Sequence, residues 1–517
     1  MRRKGATSKP GAGGSGAPAG PPPGAVRLSL SRTGRRAGLF CLALILVLLA
    51  NATRLQVFQA KSLDDNTANQ RAVIARYDQP RGDILVAGKA VTGSRRTGGT
   101  LAYQRTYTDG ALYAPVTGFS SQTYGNTLIE GVEDKILAGQ DSRLSTNAVW
   151  DEISRARVPG GNVLTTINPK AQRAAFQGLG GKRGAVAAIE PATGRILALA
   201  STPSYDPNGI TGTGQAAVSD WTRLNADTTQ PMLNRALRQT YPPGSTFKVV
   251  TLAAALQYGL YSGIDVPTNS PDPYTPKDTD HALTNESASD ACTNATLDYA
   301  LQVSCNTVFG KAGVDVGAAN MVKMAEAFGF NQSGQTIPVG VAKSNFDTGL
   351  TSQAFLALSS IGQYDTAATP LEMAEVAAAV ANDGTLMEPR LVDKVTRSDG
   401  TTVQSFGNAT FGRPVSGAVA AQIQQAMVNV VGSGTGTNAQ IPGAVVGGKT
   451  GTAQNGVGNS GTPYAWFISY AKPSASAVAP VAVAVVIEDS NANRADISGG
   501  GLAAPIAKAV MQAVLSG

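Results

Sequence analysis

The order of apolar runs between residues 184 and 515 constrains the fold more than any other feature of this sequence. Two apolar runs, at 184–190 and 195–202, are joined by Pro-Ala-Thr-Gly and predict a β-hairpin. Three more strand-like runs lie near the C-terminus, at 444–454, 464–471 and 481–488. Residues 243–381 instead carry apolar positions at three- and four-residue spacing, and a final helix is predicted at about 503–515. Strands at both ends of a helical segment predict one antiparallel sheet with helices docked beside it, which is an α+β fold.

An uncharged run at residues 37–53 is bounded by Arg36 and Arg54. It is long enough to cross a bilayer, for which roughly 17–25 residues are needed. Residues 1–36 carry eight Lys or Arg and no Asp or Glu, so the formal net charge of +7 leaves 7 − 8 = −1 for the rest. Basic residues beside the run predict a single-pass anchor with a cytoplasmic N-terminus rather than nucleic-acid binding. A cleaved signal peptide is the alternative, because residues 50–52 (Ala-Asn-Ala) offer a small-x-small site; the long basic segment and long run favour an uncleaved anchor.

Composition divides the chain into four parts. Residues 1–36 are rich in Gly, Pro and Ala and are predicted to be a disordered, basic cytoplasmic tail, followed by a transmembrane helix at 37–53. Residues 54–165 have short patterns broken by turn-forming glycines, which predict a small, strand-rich pedestal or interaction module. Residues 166–517 then form the main α+β domain, with a polar surface loop at 263–295.

Ser245 is the candidate nucleophile. The Pro-Pro-Gly at 242–244 keeps a helix from starting earlier, so Ser245 is predicted at a helix N-terminus, with Lys248 on the same face. The helix dipole favours a developing alkoxide, and a lysine whose pKa is lowered by burial or by another cation can act as its base. The one histidine, His281, lies in the polar loop, which argues against a Ser-His-Asp triad. An N-cap and a surface lysine remain the alternative, since Ser-x-x-Lys is common by chance.

Two further motifs follow, each common by itself: Ser304-Cys305-Asn306 and Lys449-Thr450-Gly451-Thr452. Their order, gaps and structural contexts are specific when taken together. The set resembles that of the penicillin-recognising serine acyltransferases. Other segments resemble motifs of the class B penicillin-binding proteins: Arg81-Gly-Asp-Ile-Leu85, Gly131-Val-Glu133, Asn234-Arg-Ala, Gly362-Gln363, Thr369-Pro-Leu-Glu-Met373 and Ala465-Trp-Phe467. With its short N-terminal module, the chain looks most like the A type of high-G+C Gram-positive bacteria, over about residues 54–515.

The resemblance implies a five-stranded antiparallel sheet flanked by helices, an all-helical subdomain and a peptidoglycan D,D-transpeptidase that is acylated by β-lactams. Ser245 would attack the penultimate D-Ala carbonyl of a stem peptide, and Lys248 would take its proton. Ser304 would relay a proton to the leaving amine, while Asn306 would hold Lys248 and the substrate amide. Lys449 would add positive charge that helps to lower the pKa of Lys248.

The resemblance also implies a substrate-binding strand. Thr450 and Thr452 would bind the terminal carboxylate, and Gly451 would let the substrate backbone approach. The N–H groups of Ser245 and Thr452 would form the oxyanion hole, in which one donor is worth about 3–4 kcal/mol. No metal and no cofactor are implied. The expected partners are peptidoglycan stem peptides on glycan derived from lipid II, β-lactams as inhibitors, the cell membrane and a polytopic glycan polymerase; no nucleic acid is expected.

Cysteine usage leaves two readings open. Cys41 lies in the apolar run, whereas Cys292 and Cys305 would lie in an oxidising compartment. They form either a disulfide or two buried free thiols, and a bridge would tie the polar loop to the middle of the Ser-x-Asn motif.

Two other functions are alternatives, and the first, a β-lactamase, shares all three motifs. A β-lactamase would be nearly half this length and would need a good deacylation base. A penicillin sensor or division scaffold with a vestigial pocket would not need the intact motif set. In the N-terminal module, Arg81 and Glu133 are expected to serve stability through buried ion pairs rather than chemistry.

Overall fold

A computed structural model describes residues 31–55, 59, 77–98, 101–145, 157–287, 289–333, 337–456, 460–489, 494 and 497–517. Most of the predicted disordered tail lies outside these residues. The chain divides into two compact units, Met1–Ala72 and Val73–Gly517.

The described helices, in chain order, are α1 Arg32–Thr53, α2 Gly110–Thr117, α3 Leu128–Val132, α4 Asp134–Leu137, α5 Pro169–Leu179, α6 Gln215–Ala226, α7 Arg235–Arg238, α8 Lys248–Gln257, α9 Leu297–Val303, α10 Asn306–Val316, α11 Ala318–Phe328, α12 Gln353–Ser360, α13 Pro370–Ala381, α14 Gly417–Ser433 and α15 Ala504–Leu515. The described strands are β1 Ile84–Val86, β2 Lys89–Ala90, β3 Thr92–Arg96, β4 Tyr103–Tyr107, β5 Ser120–Ser121, β6 Gly125–Asn126, β7 Asn162–Thr165, β8 Arg183–Ile189, β9 Ile196–Thr202, β10 Leu386–Met387, β11 Val392–Thr396, β12 Thr402–Ser405, β13 Thr410–Gly412, β14 Val445–Ala453, β15 Tyr464–Lys472 and β16 Val481–Asp489.

Helix α1 belongs to the N-terminal unit and starts five residues before the predicted span. The side chain of Ser31 caps it by accepting a hydrogen bond from the N–H of Gly34 at 3.2 Å. Residues 32–36 are therefore helical rather than part of the predicted disordered tail. The helix has 22 residues, and an 18-residue stretch of it has a mean hydropathy of 1.9, so it is long and apolar enough to cross a membrane.

The main sheet has five antiparallel strands in the order β14-β15-β16-β8-β9. Alternate residues of β8 enter different cores, as the two-residue period of a strand requires. Val186 and Ala188 pack in the core that includes α5 and α15, while Ala185 and Ala187 pack in the core that includes α8 and α13. Both faces of the sheet are thus covered by helices, and the predicted α+β fold is confirmed.

A second five-stranded sheet joins segments that are far apart in the sequence, in the order β12-β11-β7-β1-β2. Val163 of β7 pairs with Ile84 of β1 in parallel and with Val395 of β11 in antiparallel register. Because β1 and β7 have only three and four residues, they gain a stable sheet by recruiting β11 and β12. This sheet crosses the predicted domain boundary at residue 165.

Arg81 lies in a buried ion-pair cluster of the N-terminal module. Its guanidinium contacts Glu130 at 3.0 Å and Asp134 at 2.8 Å. Arg105 donates from Nε to the same Glu130 at 2.5 Å. Arg81 therefore forms buried ion pairs, as expected, and its partners are Glu130 and Asp134. The prediction that Glu133 takes part in these ion pairs was wrong.

Candidate active site

The candidate nucleophile lies in a tight turn that leads into α8. Ser245 is the second residue of a 3₁₀ turn, Gly244–Phe247, and is 5% exposed. Gly244 has φ +53°, and its N–H donates to Gly362 O at 2.9 Å. A Cβ on Gly362 would lie 2.2 Å from Gly244 O, so the Gly362-Gln363 segment lets the chain approach the nucleophile turn closely.

Strand β14 borders the other side of this turn. A Cβ on Gly451 would lie 2.9 Å from Pro243 O, and a Cβ on Gly244 would lie 3.1 Å from Ala453. The indole of Trp466, on the neighbouring strand, donates to Pro242 O at 2.9 Å. The absence of a side chain at residue 451 therefore serves first to seat the nucleophile turn, a role that differs from the expected approach of substrate.

Lys248 is the first residue of α8, and its side chain is completely buried. Its Nζ lies 2.7 Å from Ser304 O, 2.7 Å from Asn306 Oδ1 and 3.2 Å from Ser304 Oγ. Within the described part of the chain, none of its hydrogen bonds reaches Ser245, which lies one turn earlier. The Ser-x-x-Lys and Ser-x-Asn motifs are thus joined by direct contacts.

Ser304 ends α9 in the left-handed region, with φ +70° and ψ 40°. The N–H of Cys305 donates to Ala300 O at 2.8 Å, and Cys305 is joined to Cys292 by a disulfide. This conformation is uncommon for serine, so the contacts on both sides of the residue hold it in place. The disulfide links the polar loop to the residue between Ser304 and Asn306.

Lys449 brings the third motif to the same serine. Its buried Nζ donates to Ser304 Oγ at 3.0 Å and to Thr450 O at 3.0 Å. The hydroxyl groups of Thr450 and Thr435 lie 2.6 Å apart. Thr452 follows on β14 and is partly exposed. Sequence reasoning missed Thr435, because a threonine in a Gly-rich segment carries no distinguishing signal.

The two buried lysines have low pKa values. Burial and, second, the positive charge of Lys449 hold the pKa of Lys248 well below the ordinary value of 10.5. Burial lowers the pKa of Lys449 to about 7. The carboxylate of Glu286 acts in the opposite direction on both groups. The cleft can therefore hold one lysine neutral, as a base must be, beside another that carries a proton near neutral pH.

The polar loop holds Asn306 through two neighbouring residues. The side chain of Asn285 accepts from the N–H groups of Asn306 and Thr307, at 2.6 and 3.1 Å. Asn306 Nδ2 donates to Thr284 O at 3.0 Å, which fixes the amide orientation that points Oδ1 at Lys248. Sequence reasoning treated this loop as surface and missed these residues, since only the folded chain brings the loop to α10.

His281 is exposed in the loop. Among the described residues, no group of three or more His, Cys, Asp or Glu side chains is placed to hold a metal ion.

Comparisons with known proteins agree with this geometry. A family model described as penicillin binding protein transpeptidase domain matches residues 184–512, and one described as penicillin binding protein A dimerisation domain matches residues 81–163. The chain is 41% identical over 492 residues to the peptidoglycan D,D-transpeptidase PbpA of Mycolicibacterium smegmatis, covering 93% of this chain and 98% of that one. It is 40% identical to PbpA of Mycobacterium tuberculosis, covering 93% and 99%. Its structure is similar to a ceftriaxone acyl-enzyme complex of penicillin-binding protein A from M. tuberculosis, with TM-score 0.80 and 38% identity, covering 86% and 100%.

Proposed function

Because this chain belongs to the penicillin-binding protein transpeptidase family, we propose that it cross-links peptidoglycan stem peptides through an acyl-enzyme on Ser245. The same serine is the proposed site of acylation by β-lactams, as the acyl-enzyme complexes of a relative suggest. One observation carries the proposal: Lys248 and Lys449, which are 201 positions apart (449 − 248), both contact the hydroxyl of Ser304 inside a buried cluster.

In the proposed first step, Ser245 Oγ attacks the carbonyl of the penultimate D-Ala and Lys248 takes the serine proton. A neutral lysine has two N–H bonds and one lone pair. Ser304 O and Asn306 Oδ1 can use the two N–H groups, which leaves the lone pair for a hydroxyl. This arrangement supports Lys248 as the base for the hydroxyl of Ser245, which lies one turn earlier.

The terminal D-Ala must then leave as an amine, which needs a proton. Ser304 Oγ lies between the two lysines, at 3.2 Å from Lys248 Nζ and 3.0 Å from Lys449 Nζ. It is therefore placed to pass the proton from Lys248 to the leaving nitrogen, while Lys449 holds its charge beside the substrate. Asn306, held by the loop, is the proposed partner of the substrate amide.

Substrate orientation is assigned to the strand and turn. Thr450 and Thr452 are the proposed ligands of the terminal carboxylate, and the contact between Thr435 and Thr450 adds a third hydroxyl on that side. The N–H groups of Ser245 and Thr452 are the proposed oxyanion hole. The close packing of the nucleophile turn on Gly451 supports that pairing, because it brings the two backbone segments together.

The proposed topology has α1 as an uncleaved anchor, with the tail in the cytoplasm and the unit Val73–Gly517 outside it. Residues 54–165 would be a pedestal, and a polytopic glycan polymerase in the same membrane would supply the strands. Protease added to intact cells should then digest the catalytic unit and spare an N-terminal epitope tag. Digestion of the tag as well would contradict the proposed topology.

Mass spectrometry of the penicillin adduct tests the catalytic proposal. The wild type should gain one penicilloyl group on Ser245, the adduct should persist for many minutes, and Ser245→Ala should gain none. Rapid loss of the adduct with turnover would indicate a β-lactamase, and no adduct would indicate a vestigial site. Release of D-Ala with formation of a peptide cross-link, measured on stem-peptide substrates, would complete the test.

A further inference from the structure

The loop residue Glu286 has no role in the reaction as described so far. It directly follows Thr284 and Asn285, the two residues that hold Asn306, whose Oδ1 contacts Lys248. The backbone next to Glu286 is therefore attached to the catalytic cluster.

Glu286 also has the charge and exposure of a binding group. Glu286 is exposed, and it makes no hydrogen bond or ion pair with any of the described residues. Burial lowers the pKa values of Lys248 and Lys449, and Glu286 is the carboxylate that opposes this effect on both. Glu286 is therefore an exposed carboxylate beside the two residues that hold Asn306, and its negative charge acts on both buried ammonium groups.

The second half of the reaction creates a need for such a group. The acyl acceptor is an amine, which arrives from water as an ammonium ion. It must approach a cleft that already contains a protonated lysine, and like charges repel it. A carboxylate at the rim offsets this repulsion and gives the ammonium a charge-assisted partner.

We propose that Glu286 binds the ammonium group of the acyl acceptor at the rim of the cleft and delivers it to the ester on Ser245. This inference rests on the proposed transpeptidase function. The ammonium gives one proton to neutral Lys248 and attacks the ester carbonyl as an amine. The new C–N bond forms, the bond between carbonyl carbon and Ser245 Oγ breaks, and Oγ takes the second proton. Lys248 then releases its proton to water.

The test separates charge recognition from chemistry by using two acceptors. Full-length protein in detergent is acylated with a thioester donor ending in D-alanine, and transfer is measured to lysine amide, a cation, or to hydroxylamine, which is uncharged at neutral pH. Glu286→Gln should lower transfer to lysine amide about tenfold relative to hydrolysis. Transfer to hydroxylamine and the rate of acylation by penicillin, each measured at the pH optimum of the variant, should stay within about twofold.

Asp280→Asn is the matched control, since Asp280 is an exposed carboxylate in the same loop that does not influence the pKa of either lysine. It should leave both transfers unchanged. The inference is overturned if Glu286→Gln leaves transfer to lysine amide unchanged, or if it lowers transfer to both acceptors equally. A wild type that the thioester does not acylate on Ser245 would instead overturn the proposed function itself.

Discussion

Two buried charge clusters in this molecule differ in how their cations are compensated. In the N-terminal module, Arg81 and Arg105 surround Glu130, whose side chain is completely buried. In the catalytic cleft, Lys248 and Lys449 are also completely buried, but within the described part of the chain they contact hydroxyl, carbonyl and amide oxygens rather than a carboxylate.

The difference explains what each cluster is for. Burial by itself would raise the pKa of Glu130, but Arg105 and Arg81 lower it below the ordinary value, so the carboxylate stays charged and paired. Burial lowers the pKa values of both lysines, and the charge of Lys449 lowers that of Lys248 further. Compensated charges hold a structure together, whereas uncompensated ones cost stability and supply a base.

The largest effect is expected at the base. Lys248→Met should lower the rate of acylation by penicillin about 10²–10⁴-fold, because the serine loses its proton acceptor. Lys472→Met is the control, since Lys472 is also buried but contacts Gln424, and it should acylate normally. Stopped-flow acylation with a fluorescent penicillin measures both rates. Normal acylation by Lys248→Met would show that another group takes the proton.

A large loss of stability is expected in the compensated cluster. Glu130→Gln removes the shared partner of Arg81 and Arg105 and should lower the free energy of unfolding by about 3–5 kcal/mol. Glu133→Gln, which leaves those contacts in place, should change it by less than about 0.5 kcal/mol. Denaturant unfolding of the full-length protein in detergent gives both values. Equal losses of stability in the two variants would show that the buried ion pairs of Glu130 do not contribute more than an ordinary surface carboxylate.

In the catalytic cleft, removing a buried charge is expected to raise the free energy of unfolding rather than lower it. Lys449→Met should raise the free energy of unfolding by about 1–4 kcal/mol while it lowers acylation, because it removes a buried charge that contacts no carboxylate among the described residues. The folded pKa of Lys449, about 7, lies below the ordinary 10.5, so the unfolded chain binds the proton more tightly. The wild type should therefore gain stability as the pH rises from about 7 towards 10.5.

The matched measurement is the same pH series on Lys449→Met. It should show a smaller gain in stability with pH than the wild type. A variant that is less stable than the wild type at neutral pH would contradict the proposed cost of the lysine pair.

The two lysines should also define the pH profile of kcat/KM for acylation. The rate should rise as Lys248 loses its proton, and fall as Lys449 loses its proton near pH 7, because the substrate carboxylate then lacks its cation. Lys449→Arg keeps the charge over this range, so any activity it retains should lack the descending limb. A descending limb that persists in this variant would assign it to another group.

The smallest effect is expected at the disulfide. Reduction of the Cys292–Cys305 bridge should leave the fold intact and alter acylation by penicillin by a few fold, since the bridge supports the turn at Ser304. Cys305→Ser, with and without reductant, separates the bridge from side effects of the reagent. Equal acylation rates for the variant and the wild type in both conditions would show that the bridge does not affect acylation.

The two five-stranded sheets differ in how well their strands could be predicted from the sequence. Each strand of the main sheet has seven or nine residues, and all but β14 have a nearly continuous apolar pattern. All five were identified, β14 from the apolar residues at its start and from the Lys-Thr-Gly motif. Strands β11 and β12 of the second sheet have five and four residues with polar positions, and they were missed. Short strands carry too little pattern to be distinguished from loops, and β11 pairs with β7, a strand that is far away in the sequence.

The amino-acid sequence by itself determined the local part of the site. Ser245 and Lys248 lie three residues apart at a helix start, and the proline and glycine residues before them allow little else. Only the tertiary structure decided what surrounds that pair: which residues hold Asn306, that Lys449 reaches Ser304, and that Glu130 rather than Glu133 joins two arginines. The reason is physical, because a residue's spacing along a helix follows from local geometry, whereas burial and counter-ions depend on how distant segments pack.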